Sequence, residues 1–128
     1  MKSSPMEKKY DLEERLLDTA TDTIRAVEKL NKTYAAQHVA KQLIRSATAP
    51  MALHAEARAA ESKNDFVHKM KIAHKELRES FRWLKLIVRV SLLKDAAPIT
   101  PLIDETDQLI RIFHASIKTA KSRQDRPE

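Results

Sequence analysis

Residues 65–93 read DFVHKMKIAHKELRESFRWLKLIVRVSLL, and the spacing of their side chains decides the fold. The stretch contains neither Gly nor Pro, and its apolar residues recur at helical intervals, which predicts one unbroken helix. On a wheel turning about 100° per residue from Lys71, Phe66, Met70, Ala73, Leu77, Leu84 and Val88 cluster at roughly 240° and form a core face. Lys71, Lys75, Arg78, Arg82, Lys85 and Arg89 follow one another in alternating steps of four and three. At about 1.5 Å rise per residue they make a stripe about 27 Å long. A third face, at roughly 100° on the same wheel, carries Ile72, Trp83, Leu86, Ile87 and Val90.

A helix in a bundle hides one apolar stripe, so the third face needs another cover. Self-association is the simplest, and it makes Ile72, Trp83, Leu86, Ile87 and Val90 the expected oligomer interface. Burial beneath the loop at 94–99 is the alternative. The indole of Trp83 could also stack on a base. The cationic stripe suits a phosphate backbone, because each neutralised phosphate releases counterions. A plainer reading is a solvated face partly neutralised by Glu76, Glu79 and the carboxylates of neighbouring helices.

Working outward, three more helices are expected. The first runs over about 11–30 with Leu12, Leu16, Ala20, Ile24 and Val27 inward. The second, about 34–60, follows a polar break with Thr33 as N-cap and turns Ala36, Val39, Ala40, Leu43, Ala47, Met51 and His54 inward. Pro50 interrupts its hydrogen bonding and predicts a kink, since the apolar spacing continues past it. Ser62, Lys63 and Asn64 connect to the third helix. Thr100-Pro101 has the form of a cap followed by proline at the first helical position. Beyond it Leu102, Thr106, Leu109, Ile110, Phe113 and Ile117 line an inner face. Similar lengths and short loops imply an all-α, antiparallel up-down four-helix bundle over 10–121, with a disordered leader at 1–9 and a disordered tail at 122–128.

With 128 residues, of which 42% are hydrophobic and 33% charged, the chain has the makings of one folded domain. It contains no Gly, which removes the glycine loops that cradle phosphates in nucleotide-binding folds. It contains no Cys, which excludes disulfides, thiolate zinc sites and cysteine nucleophiles. The polar start lacks the apolar run of a signal peptide, and the most apolar stretch, 84–93, is broken by Lys85 and Arg89 and too short to span a bilayer. A cytoplasmic protein with no membrane partner is expected. The net charge of +6 favours an acidic partner, RNA or DNA first.

No metal, cofactor, catalytic residue or small-molecule substrate is expected. The five His residues form no His-x-x-x-His pair and no Glu-x-x-His motif. Asp65 and His68 have ligand spacing but stand as a single pair. His54 and Glu56 lack the Cys pair that a zinc deaminase would need. His54 points into the predicted core, where it should donate a hydrogen bond. Arg45, Glu56, Glu76 and Glu79 are placed to form a structural polar network between the second and third helices rather than an acid–base pair.

The run Tyr10-Asp11-Leu12-Glu13-Glu14-Arg15-Leu16-Leu17-Asp18 resembles the start of the 23S rRNA-intervening-sequence proteins. The resemblance continues through His38-Val39-Ala40-Lys41-Gln42-Leu43-Ile44-Arg45-Ser46 and Ala55-Glu56-Ala57. It is closest in the third helix, at Asp65-Phe66, Ala73, Lys75-Glu76-Leu77-Arg78-Glu79 and Trp83-Leu84, and extends to Leu109-Ile110 and Lys118-Thr119-Ala120-Lys121. It implies a left-handed antiparallel bundle assembled as a ring-like homo-oligomer, typically a pentamer, in a family often encoded within insertions in 23S rRNA genes. The accessory protein of diversity-generating retroelements, a basic bundle ring working with a reverse transcriptase and nucleic acid, is a similar-looking relative. The sequence departs from the family between Ser46 and Glu56, where Gly or Pro followed by Asn is usual. Here no Asn is present and Pro50 stands one place early. The combined expectation is a non-enzymatic, self-associating module that meets nucleic acid through the basic face of its third helix. A protein-interaction scaffold without nucleic-acid contact is the alternative.

Overall fold

The computed structural model describes residues 11–124. Four helices follow one another: α1 (Leu12–Val27), α2 (Tyr34–Arg58), α3 (Lys63–Val90) and α4 (Thr100–Gln124). The first three begin on side-chain caps that satisfy free backbone N–H groups. Asp11 accepts from the Glu14 N–H at 3.1 Å, Thr33 from Ala36 at 3.2 Å and Ser62 from Asp65 at 3.0 Å.

α4 starts differently. Thr100 is its first helical residue, and its hydroxyl donates to the Ala96 carbonyl at 3.2 Å instead of capping the helix. Pro101 therefore sits one place further in than the sequence pattern suggested. The helix also runs on through Gln124, past the expected end at Lys121. The leader at 1–9 and the last part of the tail, 125–128, lie outside the described residues.

Contacts between helices fix their directions. His38 meets Trp83, Arg45 meets Glu76 and Glu56 meets Lys69, so α2 and α3 run antiparallel. His74 meets His114 while Leu84 and Ile87 share a cluster with Ile99 and Leu102, so α3 and α4 do the same. Each helix packs on its neighbours in sequence, α1 also touches α4, and the diagonal pairs α1–α3 and α2–α4 stay apart. The result is a square up-down bundle. α1 and α4 pack least closely. Buried Arg15 bridges them, reaching the Glu105 carboxylate at 2.9 and 2.7 Å and Gln108 Oε1 at 3.1 Å.

The core follows a seven-residue repeat in all four segments. Leu16, Thr19, Thr23, Ala26 and Leu30 are buried in the first; Ala36, Val39, Leu43, Ser46 and Pro50 in the second. Met70, Ala73, Leu77, Ser80, Leu84 and Ile87 are buried in the third; Ile99, Leu102, Thr106, Leu109 and Phe113 in the fourth. A repeat of this length is the pattern of coiled-coil seams, and on a helix of 3.6 residues per turn it drifts by about 20° per heptad.

That drift corrects the sequence reading at three places. Ile87, assigned to the outer face, is fully buried, and Val88, assigned to the core, is 38% exposed. Ile24 of α1 is likewise turned out, at 43%. Pro50 is accommodated inside a continuous α2. α3 ends at Val90 rather than at residue 93, because Ser91 takes a left-handed conformation (φ 58°, ψ 53°). In a chain without Gly, Ser fills the position that Gly usually takes. The turn sends Leu92 and Leu93 inward against Val27, Leu30 and Ile99.

Candidate nucleic-acid interface

α3 is one uninterrupted helix over the whole cationic stripe, and Lys71, Lys75, Arg78, Arg82, Lys85 and Arg89 are all exposed. The six repeat with the heptad of the core, so they stay opposite it for the length of the helix. None makes an ion pair among the described residues. The reason lies on α2. Arg45 draws Glu76 to 3.1 Å and also binds Glu79, so the two carboxylates that flank the stripe are engaged from α2. Lys69, outside the stripe, takes Glu56 at 2.9 Å. Of the expected α2–α3 polar network, Arg45, Glu76 and Glu79 come together, while Glu56 stands apart with Lys69. Lys85 holds its ammonium 5.3 Å from the Phe81 ring centroid, a cation–π contact that leaves its charge uncancelled.

The apolar third face divides. Ile87 belongs to the protomer core, beneath Leu92, Leu93 and Ile99, because the heptad drift carries it inward. Trp83 is half-buried against the same cluster and meets His38 edge-on at 6.2 Å. Its indole N–H finds no acceptor among the described residues. Ile72 is half-buried. Leu86 and Val90 stay outside, 39% and 53% exposed, at the end of α3 that lies level with the start of α2, where Tyr34 is 88% exposed. Of the five expected interface residues, only these two are exposed.

α4 contributes a feature that the periodicity of α3 could not reveal. His74 of α3 and His114 of α4 lie 6.1 Å apart, and exposed Lys118 and Lys121 follow His114 along the same side of α4. The neighbouring Lys121 ammonium, first among the causes, pushes the pKa of Lys71 below the ordinary lysine value by repelling its charged form. Burial first, then Arg78 and His114, hold His74 below the ordinary histidine value. The alternating 111, 114, 118, 121 spacing was visible in the sequence, but its alignment beside α3 was not.

A groove of about 490 Å³ between α1 and α4 is lined by Asp18, Asp22, Arg25, Asp104 and Glu105 among others. Its Thr19 hydroxyl is donated to the Arg15 carbonyl at 2.8 Å, and its Glu105 is held by Arg15. His54 is buried edge-on to Phe113 at 6.1 Å; the hydrogen bond expected from it is not formed among the described residues. Among those residues no three His, Asp or Glu side chains gather as a metal site would require, and no helix is long and apolar enough to cross a membrane.

A family model described as 23S rRNA-intervening sequence protein matches residues 7–115. A crystal structure of a protein of unknown function from the S23 ribosomal protein family of Bacteroides thetaiotaomicron is similar, with a TM-score of 0.75 and 25% sequence identity. The match covers 84% of this chain and 98% of that one. No curated protein matches.

Proposed function

The chain belongs to the 23S rRNA-intervening sequence protein family, and from that premise we propose that it is a non-enzymatic, self-associating bundle that binds nucleic acid along α3. One observation carries the reading: six exposed cations stand in register, and Arg45 removes the carboxylates that would otherwise neutralise them. A polyanion gains most from such a row, because its counterions are released when phosphates replace them. Base contacts are not required, so the binding is weakly selective for sequence.

Self-association rests on Leu86 and Val90, with Leu17 and Ile24 of α1 as a second exposed apolar pair. Glu13, one turn before Leu17, pairs with Arg58, and Glu79, seven residues before Leu86, pairs with Arg45, so the two patches flank α2 on its α1 and α3 sides. Two unlike patches on one protomer allow head-to-tail contacts, which close into rings when the rotation allows. A pentameric ring is the assembly proposed, in the cytoplasm.

The test is RNA and DNA binding over a range of salt with the native chain and an Arg78→Glu, Arg82→Glu double variant. Affinity should fall steeply with salt, and the variant should lose binding while its circular dichroism is unchanged. Affinity that is flat with salt, or normal binding by the variant, sinks the proposal. Exposed Leu86, Val90 and Tyr34 favour a second reading, a scaffold for a protein partner without nucleic-acid contact. Partner capture that survives nuclease treatment and the Arg78→Glu, Arg82→Glu change would replace the first reading with this one.

A further inference from the structure

The half of α4 from Gln108 to Gln124 contains no Asp or Glu, yet it carries Arg111, His114, Lys118, Lys121 and Arg123. Arg111 is spent on Asp107 at 3.1 Å. Lys118 and Lys121 are exposed and make no ion pair among the described residues. Antiparallel packing sets this row beside Lys71, His74 and Arg78 of α3, with the His74 and His114 rings 6.1 Å apart. Packed helices lie about 8–10 Å apart axis to axis, so long side chains from both reach the same line of phosphates.

Such an arrangement costs free energy in the free protein. Lys71 and Lys121 repel, and Arg78 and His114 oppose protonation of His74. A helix C-terminus explains Lys121 and Arg123, which lie in the last turn of α4 and complement its dipole. It does not explain Lys118 or His114, which stand further back, nor the positive residues facing them from α3.

We infer that the α3–α4 seam is a second phosphate-binding row, in which Lys118 and Lys121 of α4 and Lys71 and Arg78 of α3 bracket one nucleic-acid backbone over the His74–His114 pair. This rests on the nucleic-acid reading above and extends it. The polyanion is gripped from two helices at the end of the bundle where α3 begins and α4 finishes. It meets a single row towards Arg89. The groups facing His74 are Arg78 on its own helix and His114 from α4. A bound phosphate relieves their repulsion, so protons are taken up on binding and affinity rises as the pH falls.

The experiment compares four proteins on short fluorescent RNA and DNA, single-stranded and duplex: the native chain, Lys118→Glu with Lys121→Glu, Arg82→Glu with Arg89→Glu, and Lys29→Glu with Lys32→Glu. The last pair lies at the opposite end of the bundle and matches the first in charge change. The α4 variant should lose about tenfold or more in affinity, and its slope of log affinity against log salt should shrink by about 1–2. The matched control should stay within about twofold of the native chain. Native affinity should rise as the pH is lowered from about 8 to about 6, and His74→Gln with His114→Gln should flatten that rise. Equal losses in the α4 variant and the control, or none in the α4 variant while the α3 variant fails to bind, overturn the seam and leave the α3 reading standing. Unchanged binding by both the α3 and α4 variants overturns the two together.

Discussion

Inside the core, the Ser80 hydroxyl donates to Ser46 Oγ at 2.9 Å across the α2–α3 seam. Ser46 in turn donates to the Leu43 carbonyl at 3.3 Å, and both serines are buried. Their small size belongs to the same seam as Ala36, Ala47, Ala57 and Ala73, all buried.

The direction of that relay sets unequal costs. Ser46→Ala strands the Ser80 donor and should cost about 1–3 kcal/mol, whereas Ser80→Ala removes one donor and should cost about 1 kcal/mol. The double alanine variant should be less destabilised than the sum, by about 1 kcal/mol in urea unfolding. Strict additivity would remove the hydrogen bond from the account.

The divided apolar face separates stability from assembly. Ile87→Ala empties a fully buried site and should cost about 2–4 kcal/mol, with no route to recovery through concentration. Leu86→Ser with Val90→Ser should change protomer stability by less than about 1 kcal/mol while shifting the mass measured by light scattering to a smaller species. An unchanged mass would show that these two residues do not hold the assembly.

Arg45 and its carboxylates make a third prediction. Glu76→Gln with Glu79→Gln leaves the stripe in place and removes two negative charges beside it, so RNA affinity should rise by about two- to tenfold at low salt. Both carboxylates are half-buried, and losing their charge pairing with Arg45 should cost about 1 kcal/mol. Unchanged affinity would mean that the polyanion does not approach this side of α3.

The buried His54 gives the chain an acid limit. Burial, then the nearby Arg58 charge, lowers its pKa, with Glu13 opposing. The neutral ring is the form the fold accepts. Its contribution is complete above the unfolded value of about 6.5 and is lost as the pH falls through the lower folded value. Urea unfolding should therefore show stability level above about pH 7 and declining below about pH 6. His74, also lowered, adds to the same slope. His54→Gln should make the decline shallower; an identical pH profile in that variant would remove His54 as its source.

Much of the fold could be read from local sequence. Thr33 announces the start of α2 because an N-cap depends only on residues a few places away. The six α3 cations are legible for the same reason: a helix fixes the relative direction of its own side chains. The heptad was present too, but a wheel at the ideal helix period misplaces residues progressively along a long helix, and at Ile87 and Val88 the error reaches the boundary of the core.

The sequence by itself determined four helices, their faces and the unbroken cationic row, since these follow from backbone geometry and periodicity within each segment. The tertiary structure alone decided that Arg45 would take Glu76 and Glu79, that Leu92 and Leu93 would fold back over Ile87, and that Lys118 and Lys121 would stand beside Lys71. These relationships depend on which helices are neighbours and how far each slides along the next. Those are fixed only when the whole core closes.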